Sequence, residues 1–251
     1  MPAAAPARVR PVWLGVWLTL ALTACGTGTS DGDADASGSR VVSFESSDGV
    51  ALEGRVFGNG STGVVLAHMR PADQRSWFAF ARRLADQGYL ALTFDFRGYC
   101  PGGEGGCSSG EVDTSELWRD VLGAIELVRS EGAIDVALVG ASMGGTASLV
   151  AAAQPGTGVD VVVTLSAPIA IDGLIADQTV LQQVSANKLF VAGVGDAAAA
   201  ADAEELYAIA PPPKRVEVVP ADDHGTDLLS GPQGEVVRRT IETYLAQFAP
   251  V

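Results

Sequence analysis

Residues 136–144 read Val-Ala-Leu-Val-Gly-Ala-Ser-Met-Gly, and an apolar segment follows at 147–151. The first apolar run predicts a strand and the second segment predicts a helix, with a Gly-x-Ser-x-Gly motif at the turn between them. Such a turn would lift the Ser142 hydroxyl above the edge of a sheet, and Gly140 and Gly144 would avoid collisions there. The pattern predicts that Ser142 is a nucleophile. The alternative is a glycine-rich turn with a helix-capping serine.

A second Gly-x-Ser-x-Gly motif, Gly-Cys-Ser-Ser-Gly, occurs at residues 106–110. It lies in a glycine-rich segment, with no apolar run before it and no helical pattern directly after it. The strand, turn and helix that a serine nucleophile requires are therefore missing. Because the chain contains 30 glycines, accidental matches are expected, and we interpret this motif as one of them.

From residue 40 onward, β-branched apolar runs alternate with segments of helical period. This alternation predicts an α/β fold, a three-layer α/β/α sandwich around a mostly parallel eight-stranded sheet. Asp48-Gly49 between the first two strands favours an antiparallel hairpin at the start. The predicted strands are 41–45, 51–57, 64–68, 89–95, 136–140, 159–166, 188–194 and 215–220.

The composition is that of a folded domain with an acidic surface. Of the 251 residues, 47% are hydrophobic and 18% are charged, which is enough apolar material for a core. The formal net charge of −14 makes attraction to nucleic acid phosphates unfavourable. We therefore expect one domain and no nucleic acid partner.

Residues 1–24 have the layout of a secretory signal peptide, with two arginines before an apolar run that is too short to span a membrane. The run ends in Leu22-Thr23-Ala24-Cys25, which resembles a bacterial lipobox. The resemblance implies that Cys25 carries a lipid and that the protein is extracytoplasmic, anchored to the cell membrane. The alternative is an ordinary cleaved signal that releases a soluble protein.

Residues 25–39 are small and polar without apolar periodicity, which predicts a flexible tether before a folded domain at 40–251. In an exported protein, Cys100 and Cys107 are expected to form a local disulfide, because the glycine-rich segment between them lets the two sulfurs meet. Two free thiols are the alternative. A metal site is less favoured, since no further soft ligands are close in sequence. This loop is also expected to help form the rim of a pocket.

The sequence resembles the α/β-hydrolase superfamily over nearly all of residues 40–248. One part of the resemblance is the strand–turn–helix segment with the Gly-x-Ser-x-Gly motif at 140–144, whose turn is called the elbow. The other parts are Val64-Val65-Leu66-Ala67-His68, Asp95-Phe96-Arg97-Gly98 and Asp223-His224-Gly225. The nearest likeness is to small enzymes without a large lid, including dienelactone hydrolases and serine aminopeptidase-like esterases. Dienelactone hydrolases usually carry a cysteine nucleophile, so Ser142 argues against that specific chemistry.

The family order of serine, acid and histidine implies that His224 is the base and that Asp196 is the acid that orients it. Asp196 could instead cap the alanine-rich helix that follows it. Asp202, Asp222 and Asp223 are weaker alternatives for the acid. His68, the other histidine, is expected to have a structural role.

The same resemblance implies an oxyanion hole formed by the backbone N–H groups of Met143 and Arg70. Met69 occupies the position where the family usually has glycine, so the choice between Arg70 and Met69 for the second donor stays open.

These residues predict a serine hydrolase that cleaves a carboxylic ester or a related acyl bond through an acyl-serine intermediate, without a metal or organic cofactor. The expected partner is a small-molecule ester or acyl substrate, with membrane contact only through the lipid. One alternative is a serine peptidase acting on short peptides. Another is a catalytically silent, lipid-anchored binding protein that keeps the fold for its surface.

Overall fold

The computed structural model describes residues 1–4, 36–99 and 107–251. Most of the proposed signal peptide and tether, including the proposed lipidation site Cys25, lies outside the described residues. The same is true of residues 100–106, so the predicted disulfide between Cys100 and Cys107 and the predicted pocket rim at 100–107 stay predictions.

The domain is built around one eight-stranded sheet with the strand order β1-β2-β4-β3-β5-β6-β9-β10. The first two strands pair antiparallel, β2 pairs antiparallel with β4, and the remaining neighbours are parallel. Two very short strands, β7 and β8, form a separate hairpin. The strands are β1 Ser39–Glu45, β2 Ala51–Phe57, β3 Thr62–Ala67, β4 Leu90–Phe94, β5 Asp135–Ala141, β6 Val161–Leu165, β7 Ala170–Ile171, β8 Leu174–Ile175, β9 Asn187–Gly193 and β10 Lys214–Val219.

Helices cover both faces of the sheet. Helices α1 and α6 pack on one face, and α2 to α5 pack on the other. Among the described residues, no helix has the length and apolar composition needed to cross a membrane. The helices are α1 Phe78–Asp86, α2 Leu117–Ser130, α3 Met143–Ala152, α4 Gln178–Leu181, α5 Ala197–Ile209 and α6 Gly234–Phe248, and short 3₁₀ helices span Gln74–Trp77, Thr114–Glu116 and Gly225–Leu229.

The central strands are apolar throughout because both of their faces are covered. In β5, Val136 and Leu138 pack with α2 to α5, whereas Ala137 and Val139 pack with α1 and α6. Successive side chains of a strand point to opposite faces, so a doubly covered strand must be apolar at every position. The predicted three-layer α/β fold with a mostly parallel sheet is confirmed.

The parallel strands bring several loops to one edge of the sheet. Strands β3, β5, β6, β9 and β10 are neighbours with the same direction, so the residues that follow them all emerge at the carboxyl edge. Open α/β sheets bind their ligands at this edge. Ser142, Asp196 and His224 follow three of these strands.

Arg97 ties the outer strands to α2. Its guanidinium donates hydrogen bonds to Asp120 Oδ1 at 2.6 and 2.9 Å and to the two carboxylate oxygens of Asp48 at 2.7 and 3.0 Å. Asp48 belongs to the turn between β1 and β2, and Asp120 is fully buried on α2. The three charges therefore fasten the hairpin, the segment after β4 and the helix to one another.

We expect Arg97→Met to lower the free energy of unfolding by roughly 3–5 kcal/mol, because it leaves the buried Asp120 carboxylate without its cation. Urea denaturation at neutral pH measures this change. Arg40→Met is the matched control, since Arg40 pairs with Glu131 at the surface and its loss should cost less than about 1 kcal/mol. Equal losses in the two variants would contradict the role given to Arg97.

Candidate active site

Ser142 lies in a strained turn between β5 and α3, with φ 47° and ψ −119°. Non-glycine residues rarely adopt positive φ, and the surrounding contacts must hold such a conformation in place. The Ser142 N–H donates a hydrogen bond to the carbonyl oxygen of Leu165 at 2.7 Å, which fixes the turn to the end of β6.

The two glycines of the motif are required by close backbone contacts. A Cβ atom on Gly144 would collide with the carbonyl oxygens of Ala67 and His68, and one on Gly140 would collide with the carbonyl of Gly144. The Ser142 side chain makes no capping hydrogen bond to α3, so the helix-capping interpretation is wrong. The turn thus presents a hydroxyl that α3 does not use.

Asp196 and His224 are brought together from two neighbouring parallel strands. Asp196 follows β9, His224 follows β10, and His224 Nδ1 lies 2.5 Å from Asp196 Oδ2. An ionised carboxylate can only accept a hydrogen bond, so Nδ1–H donates and Nε2 of a neutral ring remains free to accept a proton. This is the arrangement that a general base needs.

Asp196 also caps α5, so one carboxylate group makes both the helix cap and the contact with His224. Its Oδ1 accepts a long hydrogen bond from Ala199 N at 3.5 Å, while Oδ2 faces His224. Among the described residues, the acid paired with His224 is Asp196 rather than Asp222 or Asp223. No group of three or more His, Cys, Asp or Glu side chains within the described ranges is arranged to hold a metal ion.

The segment after His224 lies beside the elbow. A Cβ atom on Gly225 would lie 3.5 Å from Ala141 Cβ and would touch Met69 Sδ. The residue after His224 therefore packs against the residue before Ser142. No hydrogen bond joins Ser142 Oγ to His224 in the described structure, and such bonds commonly tighten only when substrate is bound.

The segment after β3 packs against the elbow, where the second oxyanion donor is predicted. Met143 is the first residue of α3, so its N–H has no acceptor within the helix. The Arg70 side chain is exposed, and its guanidinium pairs with Asp172 Oδ2 at 2.8 Å on the β7–β8 hairpin. Met69 is buried. The assignment of the oxyanion donors to Met143 and Arg70 stays a prediction.

His68 is fully buried beneath this segment. Its Nε2 accepts a hydrogen bond from Phe96 N at 3.2 Å, so Nδ1 carries the proton and donates to the Met69 carbonyl at 2.9 Å. Burial lowers the pKa of the His68 imidazole to about 4, which keeps the ring neutral. These contacts give His68 a structural role, that of joining the segments after β3 and β4.

Sequence reasoning did not identify Gln74, which also joins the segment after β3 to β4 and the segment after it. Asp95 accepts hydrogen bonds from Gln74 N at 2.9 Å and from Gln74 Nε2 at 2.7 Å, and Gln74 Oε1 accepts one from Thr93 Oγ1 at 3.0 Å. Burial raises the pKa of the Asp95 carboxyl to about 6. No sequence motif marks Gln74, because its role arises only when the segments after β3 and β4 are adjacent.

We expect the stabilising effect of His68 to depend on pH. Between pH 6.5 and pH 4 the unfolded histidine binds a proton, whereas the buried His68 ring stays neutral. The contribution of His68 to the free energy of unfolding is therefore complete above pH 6.5 and is lost as the pH falls towards 4. The difference in unfolding free energy between the native protein and His68→Asn, measured in urea, should therefore shrink by up to about 3 kcal/mol between pH 7 and pH 4. Asp95 titrates in both proteins, and a difference that stays constant with pH would contradict this prediction.

The chain is similar in structure to several hydrolases. The esterase Pf2001 from Pyrococcus furiosus superimposes with a TM-score of 0.71 at 17% identity, covering 88% of this chain and 97% of that one. A dienelactone hydrolase from Anabaena variabilis gives a TM-score of 0.67 at 22% identity, with coverages of 84% and 99%. An enol-lactonase from Burkholderia xenovorans gives 0.64 at 15% identity, with coverages of 81% and 99%. At these identities the likeness shows a common fold.

No curated protein sequence matches the chain significantly. Residues 62–210, however, match the hydrolase family described as serine aminopeptidase, S33, and this region runs from β3 to the end of α5. Since the match covers more than half of the sequence and the sheet has the corresponding topology, the chain belongs to this S33 family of α/β hydrolases.

Proposed function

We propose that the chain is a serine hydrolase that cleaves a carboxylic ester or a related acyl bond through an acyl-serine intermediate. The observation that carries the proposal is the 2.5 Å contact between Asp196 and His224 next to the strained turn at Ser142. Membership of a hydrolase family supports hydrolysis as the reaction class.

In the proposed reaction, Ser142 Oγ attacks the acyl carbon while His224 Nε2 takes the hydroxyl proton. The Asp196 carboxylate stabilises the resulting imidazolium, and the N–H groups of Met143 and Arg70 bind the oxyanion. Collapse of the tetrahedral intermediate breaks the bond to the leaving alcohol, which receives the proton from His224. Water then attacks the acyl-serine with the same base and releases the carboxylic acid.

A peptidase is the second candidate, and the family description supports it. The same residues cleave an amide when His224 protonates the leaving amine. The three structurally similar proteins named above are described as an esterase, a dienelactone hydrolase and an enol-lactonase. We favour ester hydrolysis because an alcohol is the better leaving group and requires less assistance from the acid.

The location of the protein remains a proposal from the sequence. The signal peptide layout and the lipobox-like segment ending at Cys25 support export and attachment to the membrane by a lipid. The substrate would then be a small ester or acyl compound that reaches the outer face of the cell membrane.

We expect Ser142→Ala to abolish turnover of a p-nitrophenyl short-chain ester and labelling by a fluorophosphonate probe, because the nucleophile is lost while the fold is kept. Release of p-nitrophenol and mass spectrometry of the labelled peptide measure the two effects, and circular dichroism checks the fold. Residual turnover should be lower by at least about 10³-fold.

Ser108→Ala is the matched control, since Ser108 is the serine of the second Gly-x-Ser-x-Gly motif. Its buried hydroxyl donates to the Asp95 carbonyl at 2.5 Å and accepts from Glu53 N at 3.0 Å, so it links β2 to the segment after β4. This variant should still be labelled at Ser142.

The outcomes separate the candidate functions. Faster turnover of aminoacyl anilides than of esters would favour the peptidase. An unlabelled Ser142 in the native protein would favour the silent binding protein.

A further inference from the structure

Ser166 stands directly after β6 and contacts the loop that carries the proposed base. We propose that Ser166 is a positioning residue that sets the place of His224 relative to Ser142, an inference that rests on the function proposed above. Ser166 does not touch the reacting atoms. It acts through the backbone of Gly225, the residue after His224.

The Ser166 side chain is fixed in one place. It is 1% exposed, and its Oγ accepts a hydrogen bond from Gly225 N at 3.1 Å. Its own N–H donates to the Val191 carbonyl at 2.8 Å, which ties it to β9. The hydroxyl therefore has little freedom, and the Gly225 amide is held at a defined distance from the end of β6.

The end of β6 holds both halves of the proposed catalytic pair. The carbonyl of Leu165 accepts the hydrogen bond from Ser142 N at 2.7 Å, and the next residue, Ser166, accepts the one from Gly225 N. Two adjacent residues thus connect the nucleophile and the base through one rigid strand. Since no direct hydrogen bond fixes Ser142 Oγ to His224, these two hydrogen bonds define the distance between them, together with the packing of Gly225 against Ala141.

Among the described residues, the other hydrogen bonds of the His224 loop do not reach β5, the strand that precedes Ser142. Asp196 orients the imidazole ring, and Gly195 N donates to the Ala221 carbonyl at 2.9 Å. Both contacts attach the loop to β9 and the segment after it. The Ser166 bond attaches the loop to β6, which lies between β9 and β5, the strand that precedes Ser142.

The backbone of Ser166 is strained, with φ 53°. Glycine would adopt this conformation without the cost of about 1–2 kcal/mol that a side chain imposes. Glycine, however, has no hydroxyl to accept the hydrogen bond from Gly225. The presence of serine in this conformation indicates that its hydroxyl has a role that offsets the backbone strain. The hydrogen bond from Gly225 N to Ser166 Oγ is the contact that supplies such a role.

Two variants separate the hydrogen bond from the strain. Ser166→Gly removes the hydroxyl and relieves the strain, whereas Ser166→Ala removes the hydroxyl and keeps the strain. We expect both variants to show kcat and the second-order rate of fluorophosphonate labelling at Ser142 reduced by roughly 10- to 100-fold, because the base is displaced from the nucleophile. KM should stay within about threefold, because the substrate contacts are unchanged. The melting temperatures of the two variants should differ.

Ser46→Ala is the control for losing a buried serine that accepts a backbone hydrogen bond. Ser46 Oγ accepts a hydrogen bond from Val50 N at 2.8 Å in the turn between β1 and β2, and β1 is an edge strand of the sheet. This variant should lose thermal stability and keep the native rates once they are corrected for the folded fraction.

Native kcat and labelling rates in both Ser166 variants would overturn the positioning role and leave the proposed function standing. Rate losses that follow the melting temperature and recur in Ser46→Ala would also overturn it, since they would show a structural effect. A native protein that is not labelled at Ser142 would overturn the proposed function and this inference together.

Discussion

The close backbone contact at the elbow is the constraint on which the rest of the site depends. Gly144 lies so near the carbonyl oxygens of Ala67 and His68 that no side chain fits, and this contact presses α3 against the end of β3. The turn at Ser142, beside this contact, is strained at a typical cost of about 1–3 kcal/mol. The burial of both faces of β3 and β5 stabilises the sheet and offsets the cost of the strained turn.

The two histidines differ because their surroundings differ. His68 is enclosed by Phe96 and Tyr99, and both of its ring nitrogens are engaged with backbone groups, so it cannot take part in proton transfer. His224 is partly exposed, has a carboxylate on Nδ1 and leaves Nε2 available. The same side chain therefore supports a loop in one place and is suited to act as a base in the other.

Local patterns predicted the strand, turn and helix around Ser142, because apolar runs and glycines specify them within a few residues. The β7–β8 hairpin was missed, since strands of two residues have no alternation to detect. Asp196 and His224 were both predicted from the family order of serine, acid and histidine, but their 2.5 Å contact could not be derived without the tertiary structure. Ser166 could not be found at all, because its role depends on a residue 59 positions away along the chain.

The helix cap that Asp196 makes supports its proposed role as the acid of the site. One carboxylate oxygen binds the first turn of α5 and the other faces His224, so the helix cap restricts rotation of the same group that must orient the imidazole. The N-terminus of α5 also stabilises a negative charge at that position. An aspartate placed directly between β9 and a helix is thus held by the helix on one side and offers a fixed acceptor on the other. This explains why an alanine-rich helix with little side-chain chemistry of its own can contribute to the site.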